Sequence, residues 1–285
     1  MADMPKGKNG TGGTAGPIAS AARVVVGEDL AAPEIVELAV GCAALYSSCS
    51  PDKDSGNEDS IGVFAVDRSR ALLVVADGMG GASAGARASA EALAAVRRSV
   101  RSRGDTEATL RSLVLDAFDD ANQRVLDLGV GAGTTLCIAE INGKQLRVCH
   151  VGDSAALVIG QRGKIKLQTI AHSPVGYALE SGLLDEAEAL HHDERHIVSN
   201  VIGTRDMRID VGSPVQLSQL DTVVLGSDGL FDNVALAEIV ACVRCGPLVD
   251  AAHRLLEVCM QRMRSPGEGE PSKPDDLSFL IYRGG

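Results

Sequence analysis

The stretch Asn57-Glu58-Asp59-Ser60-Ile61-Gly62-Val63-Phe64-Ala65-Val66-Asp67-Arg68-Ser69-Arg70-Ala71-Leu72-Leu73-Val74-Val75-Ala76-Asp77-Gly78-Met79-Gly80-Gly81 decides the reading of this chain. It holds two apolar runs, 61–66 and 71–76, on either side of a polar, turn-like tetrapeptide. Short runs of Val, Leu and Ile bounded by such a turn predict a β-hairpin. The hairpin is framed by carboxylates, with Glu58 and Asp59 before it and Asp77 after it. A carboxylate at a strand end is costly if buried alone. A hard cation is the usual relief, because Mg²⁺, Mn²⁺ and Ca²⁺ prefer oxygen ligands.

The same signature recurs along the chain. Ser227-Asp228-Gly229-Leu230-Phe231-Asp232 follows the apolar run 222–225, and Pro274-Asp275-Asp276-Leu277-Ser278 opens the run 277–282. Asp67 and Asp52 read as ordinary turn residues. Asn142-Gly143 marks a second hairpin, 135–141 with 144–151. Residues 155–159 and 164–169 form another, across Gly160 and Gly163. The segment 38–46 reads as one strand. Helical periodicity places Leu93, Val96 and Val100 on one face of a helix beginning near Ser83. It places Leu110, Val114, Phe118, Ala121 and Val125 on a second. Residues 235–243 and 248–263 are helical, and 172–207 is an elaborated surface region with a short helical piece near 185–190. The order β, α, β, α, β with antiparallel hairpins excludes a simple parallel doubly wound sheet. It predicts an α+β fold, a four-layer α-β-β-α sandwich with two stacked, mainly antiparallel sheets. Residues 1–35 read as a flexible Gly/Ala-rich tail, and 36–285 as one domain.

Bulk properties narrow the function. The 285 residues carry a net charge of −11, which argues against nucleic acid or an anionic membrane as partner. Aromatic residues make up 2 % with no Trp, so base stacking has little to rest on. No run approaches the length of a membrane span, and Lys6 and Lys8 have no apolar core behind them to make a secretory signal. The cytoplasm is the expected location. Seven cysteines at irregular spacing make a disulfide framework improbable. The lone pair Cys242 and Cys245 reads as small buried hydrophobes. His191, His192 and His196 read as exposed loop histidines, and His150 as buried and hydrogen-bonded.

The ordered motifs Asn57-Glu58-Asp59, Asp77-Gly78-Met79-Gly80-Gly81, Gly133-Thr134-Thr135, Gly152-Asp153-Ser154, Ser227 to Asp232 and Asp275-Asp276-Leu277-Ser278 resemble those of the metal-dependent Ser/Thr protein phosphatases, the type 2C or PPM family, in a bacterial-like form. The resemblance covers residues 40–283. It implies hydrolysis of phosphoserine and phosphothreonine by water activated at two Mg²⁺ or Mn²⁺ ions, without a phosphoenzyme. Asp77 matches the carboxylate bridging both ions, and Gly78 the carbonyl on the second. Glu58 serves that second ion, and Asp59 holds water beside it. Asp228 and Asp275 match the terminal ligands of the first ion. Asp153 and Asp232 match positions linked to a third. The resemblance makes Asp77 and Asp59 the catalytic pair. It also implies a phosphorylated protein as partner, a Ser/Thr kinase or its targets included.

Three departures stand out. The family's phosphate-clamping Arg is replaced by Asp54, which leaves Lys53, Arg87 or a residue of the surface region to meet the phosphate, or leaves the phosphate more weakly bound. Met79 stands where some members carry a general acid, and Ala155 follows Gly152-Asp153-Ser154 in place of Arg. Two other functions fit less well. A pseudophosphatase, which binds phosphoproteins without turnover, is favoured only by Asp54. An aspartyl-phosphate enzyme needs an Asp-x-Asp that continues a strand, and Asp52-Lys53-Asp54 does not. Replacing Asp54 by Arg is expected to lower KM, because a charge-assisted contact of about 1–3 kcal/mol replaces a repulsive one. Steady-state kinetics on a phosphopeptide test this, and an unchanged or raised KM would show that position 54 points away from the site or that Lys53 already fills the role.

Overall fold

The computed structural model describes residues 22–102, 109–129 and 131–285. In chain order, strands β1 (Ala22–Val26), β2 (Glu34–Leu38), β3 (Gly41–Ser48), β4 (Ser60–Ala65), β5 (Arg70–Ala76) and the short β6 (Gly78–Met79) precede helices α1 (Ala82–Ser102) and α2 (Leu110–Leu128). Then come β7 (Gly133–Thr134), β8 (Leu136–Asn142), β9 (Gln145–Val151), β10 (Ala155–Ile159) and β11 (Ile165–Gln168). Helices α3 (Pro174–Glu180) and α4 (Glu186–Leu190) follow, with a 3-10 turn at Asp193–His196. Strands β12 (Asp210–Val211), β13 (Val215–Gln216) and β14 (Thr222–Gly226) lead to helices α5 (Asp228–Phe231), α6 (Leu236–Val243) and α7 (Leu248–Arg264), and β15 (Leu277–Gly284) closes the fold.

One sheet runs β1-β4-β5-β8-β9-β12, with β13 also on β9; the other runs β11-β10-β14-β15-β3-β2. Every strand pairing among the described residues is antiparallel. Side-chain alternation explains why these strands look continuously apolar in sequence. Along β5, Ala71, Leu73 and Val75 enter the core between the sheets, where they join Leu45, Val223, Leu225 and Leu280. Leu72, Val74 and Ala76 point the other way, under α1 and α2, and join Leu93, Val96, Val114 and Phe118. The outer face of the second sheet packs Leu157, Val224, Phe279 and Ile281 against Ile239, Leu255 and Cys259 of α6 and α7. The central strands, such as β5 and β14, are buried on both faces, and the expected α-β-β-α layering results.

Three expectations are corrected. The tail does not extend to residue 35. Residues 1–21 lie outside the described residues, but β1 pairs with β4 over five positions from Ala22↔Phe64 to Val26↔Ser60. Val25 is fully buried between the sheets, and Arg23 holds Glu34 of β2 through Nε–Oε2 at 2.6 Å. The β-branched run Val24-Val25-Val26 is the cause, a strand signal too short to stand out beside a Gly-rich segment. Second, the strand expected over 38–46 is a hairpin that reverses at Ala39-Val40, with Leu38 opposite Gly41. Gly41 has φ +151°, and a Cβ there would overlap the Arg283 carbonyl. Third, the Cys242/Cys245 pair is not buried: Cys242 is half-buried, Cys245 is exposed, and all seven thiols are free.

Leu73→Ala is expected to cost about 2–5 kcal/mol of stability, since the side chain is fully enclosed and its space cannot collapse. Urea unfolding followed by circular dichroism measures this. A loss below about 1 kcal/mol would mean the inter-sheet core tolerates the void.

Candidate metal centre

Strand register alone brings the acidic motifs together. Ser60 pairs with Ala76, so Asp59 and Asp77 flank one end of the β4-β5 ladder. Leu136 pairs with Val151, Ala155 with Gly226 and Gly226 with Phe279. Asp153, Asp228 and Asp275 therefore emerge at the corresponding ends of both sheets. The backbone of Asp77 is fixed by the threonine pair: Thr135 Oγ1 accepts from Asp77 N at 2.9 Å, and Thr134 Oγ1 and Thr135 N donate to Asp77 O at 2.8 Å each. Thr135 Oγ1 also meets Ser154 Oγ at 2.6 Å, which links Asp77 to the loop of Asp153.

Asp276, unassigned by the sequence, is the brace. Its Oδ1 accepts from Ser50 N at 2.9 Å, and its Oδ2 accepts from Glu58 N at 2.7 Å and Lys53 Nζ at 2.8 Å. The loop before β4 is thereby tied to the start of β15. Lys53 also contacts Glu58 Oε2. Burial alone would lower the Lys53 pKa, but Asp276 and Glu58 raise it, so the ammonium stays charged. The candidate for the phosphate contact thus already has two of its three N–H donors engaged. Asp54 and Arg87 are exposed.

A second lysine went unnoticed in the sequence. Lys273 Nζ donates to Asp228 Oδ2, to Asp232 Oδ2 at 2.8 Å, and lies 3.5 Å from Asp275 Oδ2. Its signal was hidden in a loop whose composition predicts only exposure.

Among the buried oxygens without a partner are Glu58 Oε1 and Asp59 Oδ1. The other Asp59 oxygen accepts from Ser227 Oγ at 2.9 Å. Glu58 Oε1 lies beside the Gly78 carbonyl, and a Cβ on Gly85 of α1 would overlap the first and approach the second to 2.7 Å. A Cβ on Gly78 would in turn overlap the Gly85 backbone. Glycine at both positions lets α1 close over the centre and leaves the space between the two oxygens open. An all-oxygen donor set with orphaned buried oxygens fits Mg²⁺ or Mn²⁺.

Electrostatics agrees. Removal from water, then the like charges of Asp59, Asp228, Asp153 and Asp275, push the Asp77 carboxyl well above the usual carboxylate range. Burial and Asp276 do the same to Asp59. Burial with Asp228 and Asp232 pushes Asp153 up to about 8. Burial with Asp228 raises Asp232 and Asp275 to about 6 each. This array disfavours its own ionisation and favours a bound cation.

With this geometry in place, resemblance to other proteins becomes informative. The pattern described as Protein phosphatase 2C matches residues 51–265. The chain belongs to the protein phosphatase 2C family. It is 32 % identical over 213 residues to the protein phosphatase PhpP of Streptococcus pneumoniae, spanning 72 % of this chain and 85 % of that protein. Its fold matches the serine/threonine phosphatase of S. agalactiae with a TM-score of 0.71 at 26 % identity, covering 85 % of this chain and 98 % of the other. The catalytic domain of the phosphatase PstP, solved with two manganese ions, shares the fold with a TM-score of 0.68 at 24 % identity, over 85 % and 97 % of the two chains. This protein is a metal-dependent serine/threonine protein phosphatase, and neither its fold nor its relatives favour a binding domain without turnover.

In this phosphatase the region 172–207 stands beside the centre. A cavity of about 480 Å³ separates α3 and α4 from the core, lined by Leu179, Leu190, Leu157, Asp153, Asp228 and Asp232. His191 and His196 are exposed and His192 is half-buried, each bonded within its own turn. His150 is buried and bonds Ile170 O at 2.9 Å, as its place in a strand predicts. His150, His172 and Asp210 gather within 4.8 Å. They do not make a second metal site. The two rings stack 4.5 Å apart at 22°, so their lone pairs cannot converge on one ion. His172 Nδ1 accepts from Gly152 N at 3.1 Å and from Asn200 Nδ2 at 2.9 Å, which leaves its proton on Nε2. The cluster is a clasp that fixes Gly152 ahead of Asp153.

The raised carboxyls carry a pH signature. Asp153, Asp232 and Asp275 hold protons in the fold that they release in the unfolded chain near the ordinary value of 3.8. The folded state therefore binds more protons between about pH 4 and pH 8, and stability falls as pH rises through that window. In EDTA the melting temperature should be lower at about pH 8 than at about pH 6, and Mn²⁺ should remove most of the difference. A melting temperature in EDTA that is flat or rises with pH would contradict the strained cluster.

Proposed function

We propose that this phosphatase hydrolyses phosphoserine and phosphothreonine in proteins with a pair of Mg²⁺ or Mn²⁺ ions held between Asp77, Asp228 and Asp275 on one side and Asp77, Glu58 and the Gly78 carbonyl on the other. The observation that carries the reading is the convergence of five carboxylate-bearing motifs on one end of the sandwich, with buried oxygens of Glu58 and Asp59 left without partners. Bound ions would supply water activated for attack at neutral pH and charge neutralisation on the phosphoryl oxygens.

The chain's own residues do the rest. Asp77, whose backbone the threonine pair anchors, would belong to both ligand sets. Asp59 presents its unpartnered Oδ1 from a buried position, set by Ser227, where it can orient water for attack or take its proton. Asp153 and Asp232 form a further acidic station for a weaker third ion. Position 79 carries Met, so the protein offers no titratable group there to protonate the leaving alkoxide. Arg195, which donates to the Ser272 carbonyl at 2.9 Å, brings positive charge beside Asp232 from the flanking region and supports anion approach.

Phosphorylated proteins, including a Ser/Thr kinase or its targets, are the proposed partners, and the cytoplasm is the proposed location. No helix among the described residues is long and apolar enough to cross a membrane.

Turnover of a phosphothreonine peptide should require Mn²⁺ or Mg²⁺ and vanish in EDTA. Asp77→Asn should lower turnover by about 10²-fold or more while the fold survives. Full activity in EDTA, or an Asp77→Asn variant close to wild type, would overturn the assignment.

A further inference from the structure

Lys273 is placed with more care than an exposed loop lysine needs. Its backbone N donates to Asn233 Oδ1 at 2.7 Å, and its carbonyl accepts from Asn233 Nδ2 at 2.8 Å. Asn233 is itself fully buried and also bonds Gly229 O at 2.9 Å. The residue before it is held twice more: Ser272 O accepts from Arg195 Nη2 at 2.9 Å, and Ser272 Oγ donates to Arg262 O at 2.8 Å. The anchored backbone aims the ammonium at three carboxylates, Asp228, Asp232 and Asp275. An ammonium has three N–H donors, and here each has its own carboxylate to face.

Two of those carboxylates are the terminal ligands of the first ion in the reading above, and the third belongs to the weaker station. A divalent ion on the same oxygens would meet a positive charge within contact distance, in a site partly shielded from water. One oxygen atom, Asp228 Oδ2, cannot serve both cations at full strength. The opposing need is equally real: without an ion, the three carboxylates repel one another, and the lysine offsets that repulsion.

We propose that Lys273 is a tethered cation that holds Asp228, Asp232 and Asp275 together in the metal-free protein and is expelled by the incoming ion, so that it sets the affinity of the first-ion site. The proposal rests on the metal reading of the previous subsection. Exchange, not simple filling, is then the loading step: one internal charge leaves as a divalent ion enters. The metal-free centre is kept in its folded shape, and weakly bound ions are rejected because each must displace the ammonium.

The test uses Mn²⁺ alone. Calorimetric titration of Lys273→Met is expected to show first-site affinity about tenfold or more above wild type, since a charge that opposes the ion is gone. Its melting temperature in EDTA should be lower than wild type, while that with Mn²⁺ should be equal, which also reports that the variant folds. Lys273→Arg keeps the charge and should stay near wild type in both. On wild-type protein, reductive methylation read by mass spectrometry should label Lys273 slowly in EDTA and faster with Mn²⁺. Unchanged or weaker Mn²⁺ binding by Lys273→Met would overturn the proposal, as would labelling that does not rise with Mn²⁺. Wild-type protein that binds no Mn²⁺ would overturn the metal reading itself, and the proposal with it.

Discussion

Mutual repulsion among carboxylates crowded at one end of a β-sandwich is the constraint on which the rest of this structure depends. Asp59, Asp153, Asp228 and Asp275 come from separate strands and loops, yet each raises the proton affinity of Asp77. The fold tolerates this because the surrounding donors are fixed before any ion arrives. Thr134 and Thr135 hold the Asp77 backbone, Ser227 holds Asp59, and Asp276 gathers three donors from the loop that carries Glu58. Lys53 and Lys273 supply two positive charges inside the acidic array. The strain that remains sits in a few oxygens without partners, which is where a cation gains most.

Most of the architecture is legible in the sequence, for a physical reason. Two stacked sheets, each covered by helices, bury both faces of their strands. The result is short, uniformly apolar runs such as 71–76 that turn chemistry cuts cleanly. The acidic residues at the ends of those runs are equally visible, because an Asp beside glycine at a strand end has few reasons to exist in a core. What escaped was everything decided by distant contacts. Strand β1 is five residues beside a Gly-rich stretch and gains its stability only by pairing with β4. The reversal at Ala39-Val40 carries no Pro, Asn or Asp to announce it, and depends on Gly41 lying flat against Arg283. Asp276 stands beside Asp275 with no role assigned from sequence, yet it turns inward to brace the loop.

The lysines illustrate the same limit from the other side. Lys53 stood next to the missing phosphate clamp, which suggested a role in substrate binding. In the fold its ammonium bridges Glu58 and Asp276 instead. Lys273 sat in a polar loop between Pro271 and Pro274, where nothing local suggested burial. Long side chains reach several ångströms from their backbone, so sequence position says little about where their charge ends up. Gly85 is the counterpart among small residues: one glycine in a small-residue helix start, whose lack of a side chain keeps a space open between two oxygens.

The pairing order of the second sheet has a consequence for how this chain can be divided. The family pattern spans residues 51–265, a natural choice of boundaries for a minimal enzyme. In the sheet order β11-β10-β14-β15-β3-β2, three adjacent strands lie outside that span. A chain trimmed to it would keep half of the second sheet and expose β14 as a new edge. It would uncover the inter-sheet core around Leu225 and Val223 and lose Asp275, Asp276 and Lys273 together. Strands β3 and β15, far apart in the chain, meet in one antiparallel ladder, Gly41 against Gly284 and Ser48 against Leu277. Synthesis of the chain must therefore reach β15 before either the sandwich or its acidic end can close.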